Sequence, residues 1–79
     1  REAHTLAIVP RESGVTLGRM RAIPGCLGVR ERSEGLHGVF ALAPDDARVR
    51  LARDLGAAGI NCRSIALEEM FIELAGGQG

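Results

Sequence analysis

Leu27-Gly28-Val29-Arg30-Glu31-Arg32-Ser33-Glu34-Gly35-Leu36-His37-Gly38-Val39-Phe40-Ala41-Leu42 is the stretch that decides the fold. Leu27, Val29 and Glu31 alternate with Gly28, Arg30 and Arg32. That is the period of a strand with one wet face. Ser33-Glu34-Gly35 reads as a tight turn. Beyond it Leu36, Phe40 and Leu42 fall on one face, and His37, Val39 and Ala41 on the other. Two alternating runs around a short turn make a β-hairpin.

Outward from the hairpin, each flank predicts one strand and one helix. Thr5 to Val9 is short, apolar and β-branched, and Pro10 stops it. Ser13-Gly14 marks a loop. From Val15 to Ile23, Leu17 and Met20 sit three apart, as in a short helix, and Pro24-Gly25 ends it. Downstream, Pro44-Asp45-Asp46 opens a helix whose positive end both carboxylates favour. Ala47, Leu51, Leu55 and Ala58 form its stripe. Gly59 fits a left-handed cap, with Ile60 contacting Leu55. Ile60 to Ile65 is a fourth strand of mixed polarity. The order is βαββαβ over residues 5–65, an α+β, ferredoxin-like pattern. It places the first and third strands in the centre of an antiparallel sheet. Two helices cover one face and the other face stays open.

One element remains. Leu67, Met70, Phe71 and Leu74 recur at i, i+3, i+4 and i+7, a C-terminal helix over residues 66–75 with one narrow apolar face. Residues 76–79, Gly76-Gly77-Gln78-Gly79, read as a flexible end. This helix is additional to the fold and needs a surface. Two surfaces are open to it: its own sheet, or a partner on which the stripe of Leu67, Met70, Phe71 and Leu74 would dock.

Composition narrows the function. The 79 residues suffice for one small domain of marginal stability. Phe40 and Phe71 are the only aromatics, so the core is aliphatic. The formal net charge is zero, which offers nucleic acid or acidic lipid no long-range attraction. All ten basic side chains are Arg; with the many Gly and Ala, this points to GC-rich coding. No run reaches the ~20 apolar residues of a membrane helix. The polar start shows no signal-peptide core, and without an initiator Met the chain reads as an excised piece of a longer protein. Two cysteines are too few for a disulfide framework, which favours a reducing cytoplasm.

Candidate chemistry is sparse, and the expectation is a chain that is not itself an enzyme. Cys26, Cys62, His4 and His37 lack the paired spacing of a zinc site. Cys26 and Cys62 fall on strands at opposite edges, too far apart to bridge. No Gly-x-Ser-x-Gly elbow and no phosphate loop occur. Asp45-Asp46 is explained by helix capping. Glu68-Glu69 fits either the start of the last helix or a partner contact. RNA-binding domains share the strand order but stack bases on aromatics, and the central strands here offer only Phe40. The reading is therefore no catalytic, cofactor-binding or metal residue, and no nucleic-acid partner.

The tail Ile65-Ala66-Leu67-Glu68-Glu69-Met70-Phe71-Ile72-Glu73-Leu74-Ala75-Gly76 resembles the ending of many bacterial ABC-transporter ATP-binding subunits of drug-export and daunorubicin-resistance type. Ile23-Pro24-Gly25 before Leu27-Gly28-Val29, Gly35-Leu36-His37-Gly38-Val39-Phe40, and Leu55-Gly56-Ala57-Ala58-Gly59-Ile60 resemble the same domain in the same order. The resemblance spans roughly Leu6 to Gly76. Ala66, Met70 and Ala75 stand where the family carries Ser, Val and Thr, so the usual N-cap oxygen is missing. The resemblance implies a non-catalytic accessory domain following the nucleotide-binding domain, with a role in dimerisation or regulation of an ATP-driven exporter. ATP and Mg would belong to that absent domain. The implied partners are the nucleotide-binding domain of the same subunit, a second copy, and indirectly the membrane permease. The implied location is cytoplasmic, peripheral to the inner membrane and without direct insertion. The alternative is an ACT-like regulatory module that senses an amino acid near the first loop, where Gly14 would let the backbone approach a ligand.

Overall fold

Residues 3–75 are described by a computed structural model. Strand β1 is Thr5–Pro10, β2 is Cys26–Arg32, β3 is Gly35–Phe40 and β4 is Asn61–Ser64. Helix α1 is Leu17–Arg21, α2 is Pro44–Leu55 and α3 is Leu67–Leu74; a single 3-10 turn, Arg11–Ser13, follows β1. The strands form one antiparallel sheet in the order β2-β3-β1-β4. The first and third strands are central, as the βαββαβ pattern requires. The 76–79 segment read as a flexible end lies outside the described residues.

The two faces of the sheet follow from the alternation. Ala7 and Val9 of β1, Leu36 and Phe40 of β3 and Cys62 of β4 point to one side. There they meet Met20 and Ile23, at and just beyond α1, and Ala47, Leu51 and Leu55 of α2. Phe40, Met20 and Leu51 are fully buried, so this layer is the main core. Leu6 and Val39 point to the other side, where Met70 of α3 covers them beside Ile8 and Ile65. The face that the fold pattern leaves open is thus occupied by the added helix.

Local chemistry fixes most boundaries. Thr16 caps α1, its hydroxyl accepting from the Arg19 N–H at 3.2 Å. Gly35 closes the β2–β3 turn at φ 151°, and a Cβ there would lie 2.0 Å from the Val9 carbonyl oxygen. Only glycine fits so close to a neighbouring strand. Helix α2 ends earlier than its stripe predicts. Gly56, not Gly59, takes the left-handed cap at φ 62°, its N–H reaching the Ala52 carbonyl at 3.0 Å. Ala58 lies beyond the helix and is exposed. Ile60 still packs against the main core that holds Leu55.

Three further expectations shift. The N-cap of α2 is Ala43, with no side-chain capping bond; Asp45 and Asp46 sit in the first turn, and Asp45 pairs with Arg48 at 2.7 Å. Strand β3 stops at Phe40, because Thr5 on β1 donates its hydroxyl to the Leu42 carbonyl at 2.6 Å and holds the chain as it leaves the sheet. Helix α1 is shorter than Val15 to Ile23, and β4 shorter than Ile60 to Ile65. At α1 the helix end frays by a residue or two, with Thr16 as its N-cap.

Leu51 sits with no exposure at the centre of α2. Leu51→Ala is predicted to lower unfolding free energy by about 2–5 kcal/mol, by lost burial plus the cavity left behind. A domain this small has little more than that in total. Urea denaturation followed by circular dichroism should find the variant largely unfolded at 37 °C; a midpoint within error of the parent would contradict the packing described.

Candidate functional site: the clasped tail helix

Helix α3 has a polar underside and an apolar outside. Along its eight residues Met70 is buried, while Glu69 and Glu73 are half-buried. Leu67, Phe71 and Ile72 are 58%, 60% and 62% exposed, and Leu74 is 39% exposed. At ~100° per residue, the buried face centred between Glu73 and Met70 is turned about a quarter-turn from the apolar stripe. Of the four stripe residues, the sheet takes only Met70 fully. Leu67 and Phe71 form an outer ridge. Leu74 rests at its inner edge over Gly28, where a Cβ would come within 2.7 Å of the Leu74 Cδ2.

The carboxylates point inward because both edge strands offer them arginines. On β4, Arg63 grips Glu69 with two nitrogens, at 2.5 and 3.3 Å. On β2, the Arg30 Nε donates to Glu73 at 3.3 Å, with both side chains largely covered. Helix α3 is therefore clasped at both edges of the sheet with Met70 between. Its N-cap is Ala66, with no side-chain capping bond. The Glu69 carboxyl is held below its ordinary range, first by its hydrogen bond from Arg63.

A histidine joins the clasp. His37 on central strand β3 is 8% exposed and faces α3. Its Nε2 lies 2.6 Å from Glu34 Oε2 in the β2–β3 turn. Its Nδ1 lies 3.6 Å from Glu73 Oε2, within ion-pair range but beyond a hydrogen bond. Nδ1 is buried and has no hydrogen-bond partner among the described residues. Glu34 is held below its ordinary range, first by its own backbone N–H and then by His37.

Among the described residues the remaining candidates gather less chemistry. Cys26 on β2 and Cys62 on β4 are free thiols on opposite edge strands, as expected. Three strand spacings, about 14 Å, separate those edges. Burial pushes both thiols up, away from the reactive thiolate. Among the described residues no group of three or more His, Cys, Asp or Glu could hold a metal ion. A depression of about 270 Å³ lies between Arg21, Leu27, Arg30, Glu73 and Leu74. Another of about 230 Å³ lies between Leu42, Asp46, Val49, Arg50 and Arg53. Both fall short of the roughly 300–1,000 Å³ of small-molecule sites, and neither includes Gly14 or another first-loop residue. Among the described residues no helix is long and apolar enough to cross a membrane.

The sequence pattern located α3 and its four apolar residues. It gave no sign that Glu69, Glu73, Arg30, Arg63 and His37 meet beneath the helix. The spacing of Glu69 and Glu73, one turn apart, was the available signal. No protein-family profile matches this chain. No curated protein is significantly similar to it. No solved structure is significantly similar either.

Met70→Ala is predicted to cost about 2 kcal/mol of stability, whereas Phe71→Ala should stay within about 0.5 kcal/mol. Equal losses in urea melts would mean that the ridge, not Met70, is the anchor. Glu69 also carries a pH prediction. Its carboxyl is depressed in the folded state, so its contribution is complete above the ordinary carboxylate range. The contribution vanishes as pH falls through the depressed value. Amide shifts of α3 should therefore move toward coil in acid at higher pH in Arg63→Gln than in the parent; identical acid midpoints would remove Arg63 from the clasp.

Proposed function

We propose that this chain is a non-catalytic accessory module that docks on a protein partner through the outer ridge of α3. The observation that carries the reading is the ridge itself: Leu67 and Phe71 exposed by more than half, with the 48%-exposed Leu27 on β2 and Leu74 beside the same depression. A chain with two phenylalanines has placed one of them on the outside of an added helix. Contiguous exposed apolar surface of this kind marks interaction sites. Single exposed residues such as Val49, 65% exposed, need no such explanation.

The partner we favour is the nucleotide-binding domain of an ABC-type ATP-binding subunit. Support comes from the βαββαβ order with a helix added after it, and from the tail Leu67-Glu68-Glu69-Met70-Phe71, which resembles the ending of such subunits. ATP, Mg and the coupling to a permease would lie in that domain, at the cytoplasmic side of the membrane. A second copy of this chain is the other occupant the ridge could take. The ACT-like reading has less to rest on, since neither depression reaches the first loop.

Two measurements test the proposal. The gene upstream of Arg1 should encode, in frame, a phosphate loop with its Gly-rich backbone cradle and Lys; a start codon at Arg1 would overturn the parentage. The ridge is tested with Leu67→Glu/Phe71→Glu. In sedimentation velocity the pair should weaken association with the nucleotide-binding domain, or with itself, by tenfold or more, about 1.4 kcal/mol. Thermal stability should be unchanged. Full retention of association would place the contact elsewhere.

A further inference from the structure

The imidazole of His37 is wedged between two carboxylates, and one of its nitrogens has no hydrogen-bond partner among the described residues. Glu34 Oε2 takes one side at 2.6 Å and Glu73 Oε2 faces the other at 3.6 Å. A neutral ring carries one proton on two nitrogens. Whichever nitrogen holds it, the other turns a lone pair toward a carboxylate. With the proton on Nε2, where the short contact lies, Nδ1 opposes Glu73 and stays unsatisfied. A buried acceptor facing an anion is an unfavourable pair. A second proton on the ring removes the conflict. Both nitrogens then donate, one to each carboxylate, and a shift of under about 1 Å brings Nδ1 and Glu73 into hydrogen-bond range.

We infer that His37 is a pH-sensitive latch for α3: protonation fastens the helix to the sheet through Glu73, and deprotonation loosens it. The latch joins two different elements, since His37 belongs to central strand β3 and Glu73 to the added helix. The other groups around it are accounted for. From β2, Arg30 holds Glu73 Oε1 at 3.3 Å. From β4, Arg63 is paired with Glu69 and also feels the charge of Glu73. From the β2–β3 turn comes Glu34, and from β1 the paired residue opposite His37 is the uncharged Ile8. Helix α3 itself presents Glu69 and Glu73. Two anions thus touch the ring directly, while the cations touch the anions. The apolar hold on α3 is slight, essentially Met70 against Leu6 and Val39, so a change at one polar contact is a large share of what keeps the helix down. Histidine is the side chain whose charge ordinarily changes between about pH 5 and 8, and that is the range over which the latch is tested. Opening it uncovers Leu6, Val39 and Ile8 on the second face of the sheet. The inference stands apart from any partner of the outer ridge.

The test is nuclear magnetic resonance of the chain over about pH 5 to 8, following the His37 ring and the α3 amides together. Exchange protection of α3, corrected for intrinsic exchange rates, should fall about tenfold from the low end to the high end, the size of one lost charge-assisted hydrogen bond. Protection in α2 should stay constant. His37→Gln, which keeps a hydrogen-bonding side chain but cannot titrate, should flatten the α3 response. Should that variant not fold, the parent alone decides the matter: the His37 ring and the α3 amides must share one midpoint. An α3 protection that does not change with pH, a response retained in His37→Gln, or midpoints that differ would each overturn the latch.

Discussion

A four-stranded sheet has two faces, and a chain of 79 residues has little helix with which to cover them. The main core uses α1 and α2 on one face, where Met20, Phe40 and Leu51 are fully buried. The second face is left to eight residues of α3. At about 1.5 Å per residue that helix is about 12 Å long, close to the roughly 14 Å between the outer strands of the sheet. Glu69 and Glu73 lie only about 6 Å apart along the helix, so the arginines span the rest: Arg63 reaches in from one edge strand and Arg30 from the other. The rest of the structure depends on that fit, because without α3 the central Leu6 and Val39 would face water.

Because the underside of α3 is mostly carboxylate, charge has to do what apolar area does on the first face. The exposed Arg63–Glu69 pair contributes about 0–1 kcal/mol, against roughly 1.5–3 kcal/mol for a fully buried apolar side chain. The second face is thus the weaker of the two, and its hold varies with pH from two directions. Glu69 and Glu34 lie below their ordinary range, so acid releases them only at low pH. A proton on His37, by contrast, adds a donor toward Glu73.

The hairpin, the strand order and the first core were legible because each rests on local alternation or on a turn residue. Leu36 and Phe40 went to one face and His37 and Val39 to the other, as their period required. The end of α2 was missed by one turn. Gly56 and Gly59 both have positive φ, and nothing local says which of two such glycines closes a helix. The underside of α3 was missed for a deeper reason. Periodicity assigns the apolar stripe to the interior, but Glu69 and Glu73 found their partners on strands some 6 and 43 residues away in sequence. No pattern within the helix encodes those partners.

That inversion ties the two halves of α3 together. Turning Glu69 and Glu73 inward is what turns Leu67 and Phe71 outward, so the clasp and the ridge are one rotation of one helix. A partner that needs the ridge in this orientation binds only the docked helix, and so shifts the docking equilibrium toward itself. Linkage then works both ways: whatever strengthens the clasp raises apparent affinity at the ridge, and occupancy of the ridge strengthens the clasp. On the proposed latch, the polar cluster at His37 lies beneath the helix that carries that surface, so it would act on a partner only through the docking of the helix.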